Sequence, residues 1–333
     1  MGSGKEAAIG QGPIGQGRGS LRNRTGLRVA ALLAAGAALV MAAPACGSSA
    51  KASGAMEPGV VNAIGAENEY ADVLAQIGGP YVHVSSILNN PNTDPHTFES
   101  SPSVAEEISA AGLIVQNGVG YDTFMNKIES ASSNSNRKVI VVQHLLGLPD
   151  STPNPHLWYD PMTMPAVAQA VAADLSGLLP SEAGYFQANV QKFDASLTPW
   201  LNAIAAFKAK YGGTPVATTE PVADYMLAAM GTDNLTPFGF QADIMNGVDP
   251  SPQDISLENG FFTNHQVKVF CYNQQVVDSL TTSIRLTAQR NGVPVVSVYE
   301  TMPTPGYDYQ SWMLAEVNAI QNAVANGVST EHL

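Results

Sequence analysis

The chain is short of charge, of cysteine and of long apolar runs. Only 13% of its 333 residues are charged, against 45% that are hydrophobic. That length suits two lobes better than one ordinary domain, and that composition can bury a sizeable core. Basic residues are the scarcest. After residue 45 the chain holds 10 Lys and Arg against 27 Asp and Glu. This argues against nucleic acid, whose phosphates need cationic side chains; it is compatible with attracting cations, though a soluble acidic surface is the plainer reading. The two cysteines, Cys46 and Cys271, cannot form a CxxC metal pattern. Cys271 lies in Val269-Phe270-Cys271-Tyr272 and reads as a small core hydrophobe on a strand. HExxH, G-x-S-x-G and Walker A patterns are all missing, which argues against the common hydrolases and nucleotide-binding enzymes. A metallohydrolase would still need only an open metal position and a base, for which Glu99, Asp122 and Asp160 are the available acids.

What is present begins with an address. Arg22, Arg24 and Arg28 precede an apolar run from Val29 to Ala43, and small residues follow it up to Cys46. The run falls short of the ~20 residues of a membrane span. A basic segment, a short apolar core and a small-residue cleavage site make a signal peptide. A cysteine directly after Ala45 makes it resemble a lipoprotein signal, with Cys46 as the lipidated residue of the mature chain. The expected layout is a signal peptide with a Gly-rich leader over 1–45, a flexible Gly/Ser/Ala tether over 46–58, an N-terminal lobe over 59–179, a linking helix over 180–213 and a C-terminal lobe over 214–333. The mature protein is expected outside the cytoplasmic membrane, anchored to its outer face.

From Val60 onward strands and helices alternate. Strands are expected at 60–65, 81–88, 113–117, 138–143, 215–220, 238–241, 268–273 and 293–300. Helices are expected at 67–77, 101–111, 162–179, 221–230, 276–290 and 309–324, with one more between the third and fourth strands. Phe186, Val190, Phe193, Leu197, Leu201, Ile204 and Phe207 recur at three- and four-residue steps, which predicts a single long helix over 180–210. The fold class is therefore α/β: two lobes, each with a mainly parallel sheet flanked by helices, joined by one long rigid helix.

Two of the six histidines stand apart. His96 and His156 each follow a proline in a loop of the first lobe, and proline restricts the backbone that carries the ring. Two carboxylates close apolar strands of the second lobe: Glu220 after Val216-Ala217-Thr218-Thr219, and Glu300 after Val295-Val296-Ser297-Val298-Tyr299. Each donor ends a strand, and in open α/β sheets ligands bind beyond the carboxyl ends of the strands. For each acid alone, a helix-capping role is the plainer reading.

Longer stretches carry a resemblance. Asp94-Pro95-His96-Thr97-Phe98-Glu99 is similar to a DPHxxE stretch, Asn117-Gly118-Val119-Gly120-Tyr121-Asp122 to NGxGxE/D, and Pro155-His156-Leu157-Trp158 to PHxW. Thr219-Glu220-Pro221-Val222 with Tyr225, and Val293 through Thr301 with Tyr309 and Met313, complete the set. Together they resemble the cluster A-I solute-binding lipoproteins of zinc and manganese ABC transporters, from about Val60 to the C-terminus. The resemblance implies a binding protein rather than an enzyme. It implies His96, His156 and Glu220 as metal ligands, with Glu300 fourth where the family usually has Asp. Asn154 stands where Asp is often found, and the His-rich loop of many zinc-specific members is missing.

Two imidazoles and two carboxylates without a thiolate suit Zn²⁺ or Mn²⁺, and Fe²⁺ is also compatible. Two carboxylates neutralise a dication, and binding needs neutral imidazoles, so affinity should fall below about pH 6. The implied partners are an ABC permease and its ATPase, with the protein acting as a monomer. A surface adhesion protein on the same scaffold, with a structural metal, is the alternative.

Overall fold

The computed structural model describes residues 59–333 apart from Thr93 and Ser133. The signal-like segment, Cys46 and the tether lie outside the described residues.

The amino-terminal sheet is built from β1 (Val61–Glu67), β2 (Val82–Leu88), β3 (Leu113–Gln116) and β4 (Lys138–Val141) in the order β2-β1-β3-β4, all parallel. The helices that cross between or cover them are α1 (Asn68–Gly78), α2 (Pro102–Ala110), α3 (Thr123–Ala131), α4 (Val142–Leu145) and α5 (Thr163–Leu178). β1 and β3 are buried along almost their whole length, as central parallel strands are, and β3 reads as an apolar run closed by Gln116. Gly65 lets α1 fold back closely on β1, since a Cβ there would stand 2.3 Å from the Ala71 nitrogen. Ser101 caps α2 and Pro102 opens it, as expected from the sequence.

The carboxy-terminal sheet repeats the same order. β5 (Pro215–Thr218), β6 (Asp233–Asn234), β7 (Val269–Asn273) and β8 (Val295–Val298) run β6-β5-β7-β8, again all parallel. Around them lie α8 (Asp224–Ala229), α9 (Phe238–Met245), α10 (Pro252–Thr263), α11 (Ser279–Arg290) and α12 (Tyr309–Asn326). Cys271 is buried on β7, where burial raises its thiol pKa far above the usual range.

Two expectations need correcting. Residues 238–241 form the first turn of α9, not a strand. Phe240, Gln241 and Ile244 are its buried residues, which is a helical spacing, and the alternation of Phe238 and Phe240 that suggests a strand covers only three residues. The single helix over 180–210 is in fact two, α6 (Ala183–Ser196) and α7 (Thr198–Tyr211), parted at Leu197. Pro199 has no N–H to offer the carbonyl of Ala195, so the helical ladder is interrupted there although the apolar stripe continues across the break.

One apolar core runs through both halves. Val73, Leu74, Trp158 and Val171 belong to it on one side, Phe193, Trp200 and Phe207 in the middle, and Val216, Val298, Trp312 and Ile320 on the other. Polar bonds stitch the same seam. Asn68 Nδ2 donates to the Met302 carbonyl and Met302 N–H donates to Asn68 Oδ1, both at 2.8 Å. Tyr309 Oη donates to the Trp158 carbonyl at 2.6 Å, and Tyr159 Oη donates to the Tyr299 carbonyl at 2.8 Å. Trp312 donates to Glu316 of α12, whose carboxyl also lies 2.9 Å from Tyr159 Oη. No helix among the described residues is long and apolar enough to cross a membrane.

A buried acid remote from the seam makes stability depend on pH. Glu258 of α10 is fully buried, and only one of its oxygens is bonded, to the Thr236 hydroxyl at 3.0 Å. Burial raises its pKa to about 8. The fold therefore favours the protonated acid. The stability this gives is complete below the unfolded value near 4.5 and is lost as pH rises through 8. Glu258→Gln should leave stability at pH 4.5 nearly unchanged and raise it at pH 8 by roughly 1–4 kcal/mol. Urea unfolding at the two pH values checks this; an equal effect at both would refute it.

Candidate metal centre

The site lies where the carboxyl ends of the two sheets face each other. Each sheet reverses its strand order there, between β1 and β3 and between β5 and β7, the position where open α/β sheets bind ligands.

His96 sits in a single 3-10 turn, Pro95–Thr97. Its N–H is held at 2.8 Å by Asp94 Oδ1, which caps the turn. His156 precedes a similar turn, Leu157–Tyr159, and is fully buried. Asn154 Oδ1 accepts from its backbone N–H at 3.0 Å and lies 2.8 Å from its Nδ1. An amide oxygen can only accept, so Nδ1 carries a proton; Nε2 then offers its lone pair to a metal when the ring is neutral, and an N–H to Glu300 when the ring is charged. Asn154 is itself fixed, donating to the Pro221 carbonyl at 2.7 Å, while Tyr225 Oη donates to the Asn154 carbonyl at 2.9 Å. Asn117, just beyond β3, ties down the same loop by donating to the Pro155 carbonyl at 2.8 Å.

That last contact depends on an unusual turn. Gly118, Val119 and Gly120 all have positive φ. A β-branched valine there is strained, and its N–H is held by Gln143 Oε1 at 2.7 Å. Gly118 has no alternative, because a Cβ would lie 2.8 Å from Gln143 atoms.

Both imidazoles point at one carboxylate oxygen. Glu300 Oε2 lies 3.2 Å from His96 Nε2 and 3.3 Å from His156 Nε2, and it accepts from Tyr121 Oη at 3.0 Å. One ligand atom from each of His96, His156 and Glu300 falls within 4.8 Å of the other two. Glu220 stands outside that group. Asn273, at the end of β7, bridges the two acids, its Nδ2 donating to Glu300 Oε1 at 2.7 Å and to Glu220 Oε1 at 3.0 Å. Glu220 Oε2 is buried with no hydrogen bond. Gln275 secures the other side of Glu300, its Oε1 accepting from the backbone of Glu300 and of Thr301.

The electrostatics follow from burial and from this pairing. Burial alone would raise the pKa of Glu300, but the hydrogen bonds and charges of the two imidazoles outweigh it and hold the carboxyl well below its usual range. Burial raises Glu220 instead, and the charge of Glu300 adds to the effect. For His156 burial wins and lowers the pKa. For His96, whose side chain is 25% exposed, burial is outweighed by Glu300 and Asp94, and the pKa rises. Two further acids at the end of β1 and start of α1, Glu67 and Glu69, are fully buried. Burial foremost, then Asp122 beside Glu67 and Glu300 near Glu69, pushes both far up, so the protonated form is favoured.

The donor set fits a divalent ion. A tetrahedral centre with ~2.0–2.1 Å bonds has ligand edges of about 3.3–3.4 Å. The two N–O separations are 3.2 and 3.3 Å. The aromatic wall of Tyr121 and Trp158, centred 5.8 and 5.4 Å from the His156 ring, keeps water from that side.

The sequence model of the family described as zinc-uptake complex component A, periplasmic (ZnuA), matches residues 66–323. The chain belongs to this family. Among curated relatives of this ZnuA-family chain, the zinc-binding protein TroA of Treponema pallidum is 29% identical over 146 residues, 42% of this chain and 46% of that one. The manganese ABC transporter substrate-binding lipoprotein PsaA of Streptococcus mitis is 25% identical over 171 residues, 48% of this chain and 54% of that one. The chain spans about half the length of the curated relatives it matches. Among solved structures, the periplasmic zinc-binding protein TroA of Treponema pallidum superposes with a TM-score of 0.67 at 20% identity, over 81% of this chain and 100% of that one. A ZnuA crystal structure gives 0.65 at 22%, over 80% and 100%. Both share the fold of two helix-flanked parallel sheets. Family membership agrees with the expectation of a binding protein rather than an enzyme.

Sequence reasoning overlooked Tyr121, Asn273 and Gln275 as parts of the site. Asn273 carried the signal that marked Glu220, a polar residue closing an apolar strand. Tyr121 lay inside a noted motif but had no partner in sequence to suggest its bond to Glu300.

Proposed function

We propose that this protein captures a divalent transition metal, Zn²⁺ or Mn²⁺, outside the cytoplasmic membrane and delivers it to an ABC importer. The observation that carries the reading is the convergence of two Pro-His imidazoles and a carboxylate from the opposite sheet on one point. His96, His156 and Glu300 supply three ligands, and Glu220 supplies the fourth by turning its unbonded Oε2 toward the ion. The two carboxylates balance the dication, which makes a buried site tolerable. Relatives named for zinc binding and for manganese transport support both candidate metals. The Cys46 lipoprotein signal fits an anchored, monomeric protein that meets a permease and its ATPase at the membrane.

Titration calorimetry of residues 50–333 stripped with chelator tests this. One equivalent of Zn²⁺ or Mn²⁺ should bind, and Glu220→Gln should weaken it by about tenfold or more, a change of at least ~1.4 kcal/mol. Binding of neither metal, nor of Fe²⁺, would sink the reading. Unchanged affinity in Glu220→Gln would remove only the fourth ligand.

A further inference from the structure

Both proposed carboxylate ligands share one neighbour. Asn273 ends β7 and has no exposed surface. Its primary amide carries two hydrogens, and each goes to a different acid: Nδ2 donates to Glu300 Oε1 at 2.7 Å and to Glu220 Oε1 at 3.0 Å. The other end of the amide is equally committed, since Oδ1 accepts from the Gln275 N–H at 2.9 Å. Its backbone N–H donates to the hydroxyl of Thr219, the residue before Glu220, at 2.9 Å. A flipped amide would set Oδ1 against two carboxylates and Nδ2 against an N–H, so the network fixes which end faces the acids.

This leaves each acid one oxygen for cargo. Glu300 Oε1 is held by Asn273, while Oε2 faces both imidazoles and spends one lone pair on Tyr121 Oη. Glu220 Oε1 is held the same way, and Oε2 is the buried oxygen without a hydrogen bond. For either acid to chelate through both oxygens, its carboxylate must turn and pull Oε1 off a fully committed amide. Glu300 cannot shift as a whole to avoid this, because Gln275 Oε1 accepts from its backbone N–H and from that of Thr301. Two imidazole nitrogens and two single oxygens make four donors. Zn²⁺ is satisfied by four in a tetrahedron, whereas Mn²⁺ favours octahedral, oxygen-rich shells.

We propose that Asn273 sets the choice of ion: by holding one oxygen of Glu300 and one of Glu220, it limits the centre to four donors and turns it toward Zn²⁺ and away from Mn²⁺. It acts through the two acids and touches no cargo, so it is a positioning residue. The inference rests on the metal-capture reading above and names the ion that reading leaves open. Zn²⁺ outranks Mn²⁺ at most nitrogen and oxygen sites, so a bare preference for Zn²⁺ says little. The contribution of Asn273 is the part of that preference lost when the side chain is removed. Outer partners of metal ligands shift affinity by ~10–100-fold.

The test compares wild type with Asn273→Ala, each stripped with chelator and reloaded, in two measurements. Co²⁺ stands in for Zn²⁺, and its visible bands report coordination, intense for four donors and weak for six. Wild type should give the intense spectrum, and Asn273→Ala, with Oε1 of both acids released, the weaker one. Competition against a chelating indicator gives the Zn²⁺ and Mn²⁺ affinities, and the preference for Zn²⁺ should narrow by about tenfold or more in Asn273→Ala. Loss of a merely structural residue weakens both ions alike and leaves ratio and spectrum unmoved. Asn273→Ser, whose hydroxyl is too short to hold both acids, takes the place of the alanine variant if circular dichroism shows that one unfolded. A weak, six-coordinate Co²⁺ spectrum in wild type overturns the proposal whatever the variants do. So does a folded variant that keeps either the ratio or the spectrum of wild type. In both cases metal still binds and the capture reading stands; a wild type that binds neither Zn²⁺ nor Mn²⁺ overturns both.

Discussion

His156→Ala should weaken binding of Zn²⁺ or Mn²⁺ by at least about a hundredfold. Removing a mere supporting partner of a metal ligand costs 10–100-fold, and His156 is proposed as a ligand itself. Its ring is fully buried and held between Asn154, Tyr121 and Trp158, so no water can easily take the vacated place. His96 keeps a quarter of its side chain in solvent, where water can substitute. The order of loss should therefore be His156→Ala above His96→Ala, with Asn154→Ala smaller than either, because Asn154 only orients the ring. Competition against a chelating indicator measures all three, and circular dichroism confirms that each variant is folded. A folded His156→Ala within about threefold of wild type would be incompatible with the proposed centre.

Trp312→Ala should cost about 3–5 kcal/mol of stability, the range for removing a buried tryptophan. Trp312 has no exposed surface, and its ring meets Tyr159 edge-on at 5.7 Å. It also donates from Nε1 to Glu316 at 2.8 Å. Burial raises the pKa of Glu316 to about 8, and the bonds from Tyr159 and Trp312 work against that rise. Trp312→Phe separates the two contributions. It keeps most of the packing and loses the hydrogen bond, so it should cost about 1–2 kcal/mol. Denaturant unfolding compares them. Equal losses for Ala and Phe would mean that the bond to Glu316, not the packing, holds this seam.

Strands β3, β4, β5, β7 and β8 were readable because they are short, mainly apolar runs closed by polar residues or turns, whereas β6, only Asp233 and Asn234, carries no such run. Helix ends were readable where chemistry marks them, as at Ser101-Pro102. The errors came where a pattern was short or was interrupted without leaving the pattern. Phe238-Gly239-Phe240 alternates too briefly to tell strand from helix, and the burial of Ile244 one turn later decided it. The stripe from Phe186 to Phe207 ran straight through Pro199, so periodicity predicted one helix where the missing N–H makes two. At the site, the Pro-His pairs and strand-end acids were visible as types and positions. Their convergence was not, because residues 60 to 204 positions apart meet only through the packing of both sheets. Glu300 was the least expected ligand from sequence, and it is the residue on which both histidines converge.

The seam between the halves resists opening. To swing the sheets apart, the chain must break the paired Asn68–Met302 bonds, the Tyr159 and Tyr309 bonds, and the Asn154–Pro221 bond that also holds the His156 loop. It must also part a core that is continuous across both sheets. A widely opened form is therefore a rare member of the resting ensemble. Turning a one-per-cent minority into the dominant form takes about 5.5 kcal/mol of preferential binding. Under the proposed function, discharge would be set less by the protein's own breathing than by how strongly a docking partner prefers the parted form.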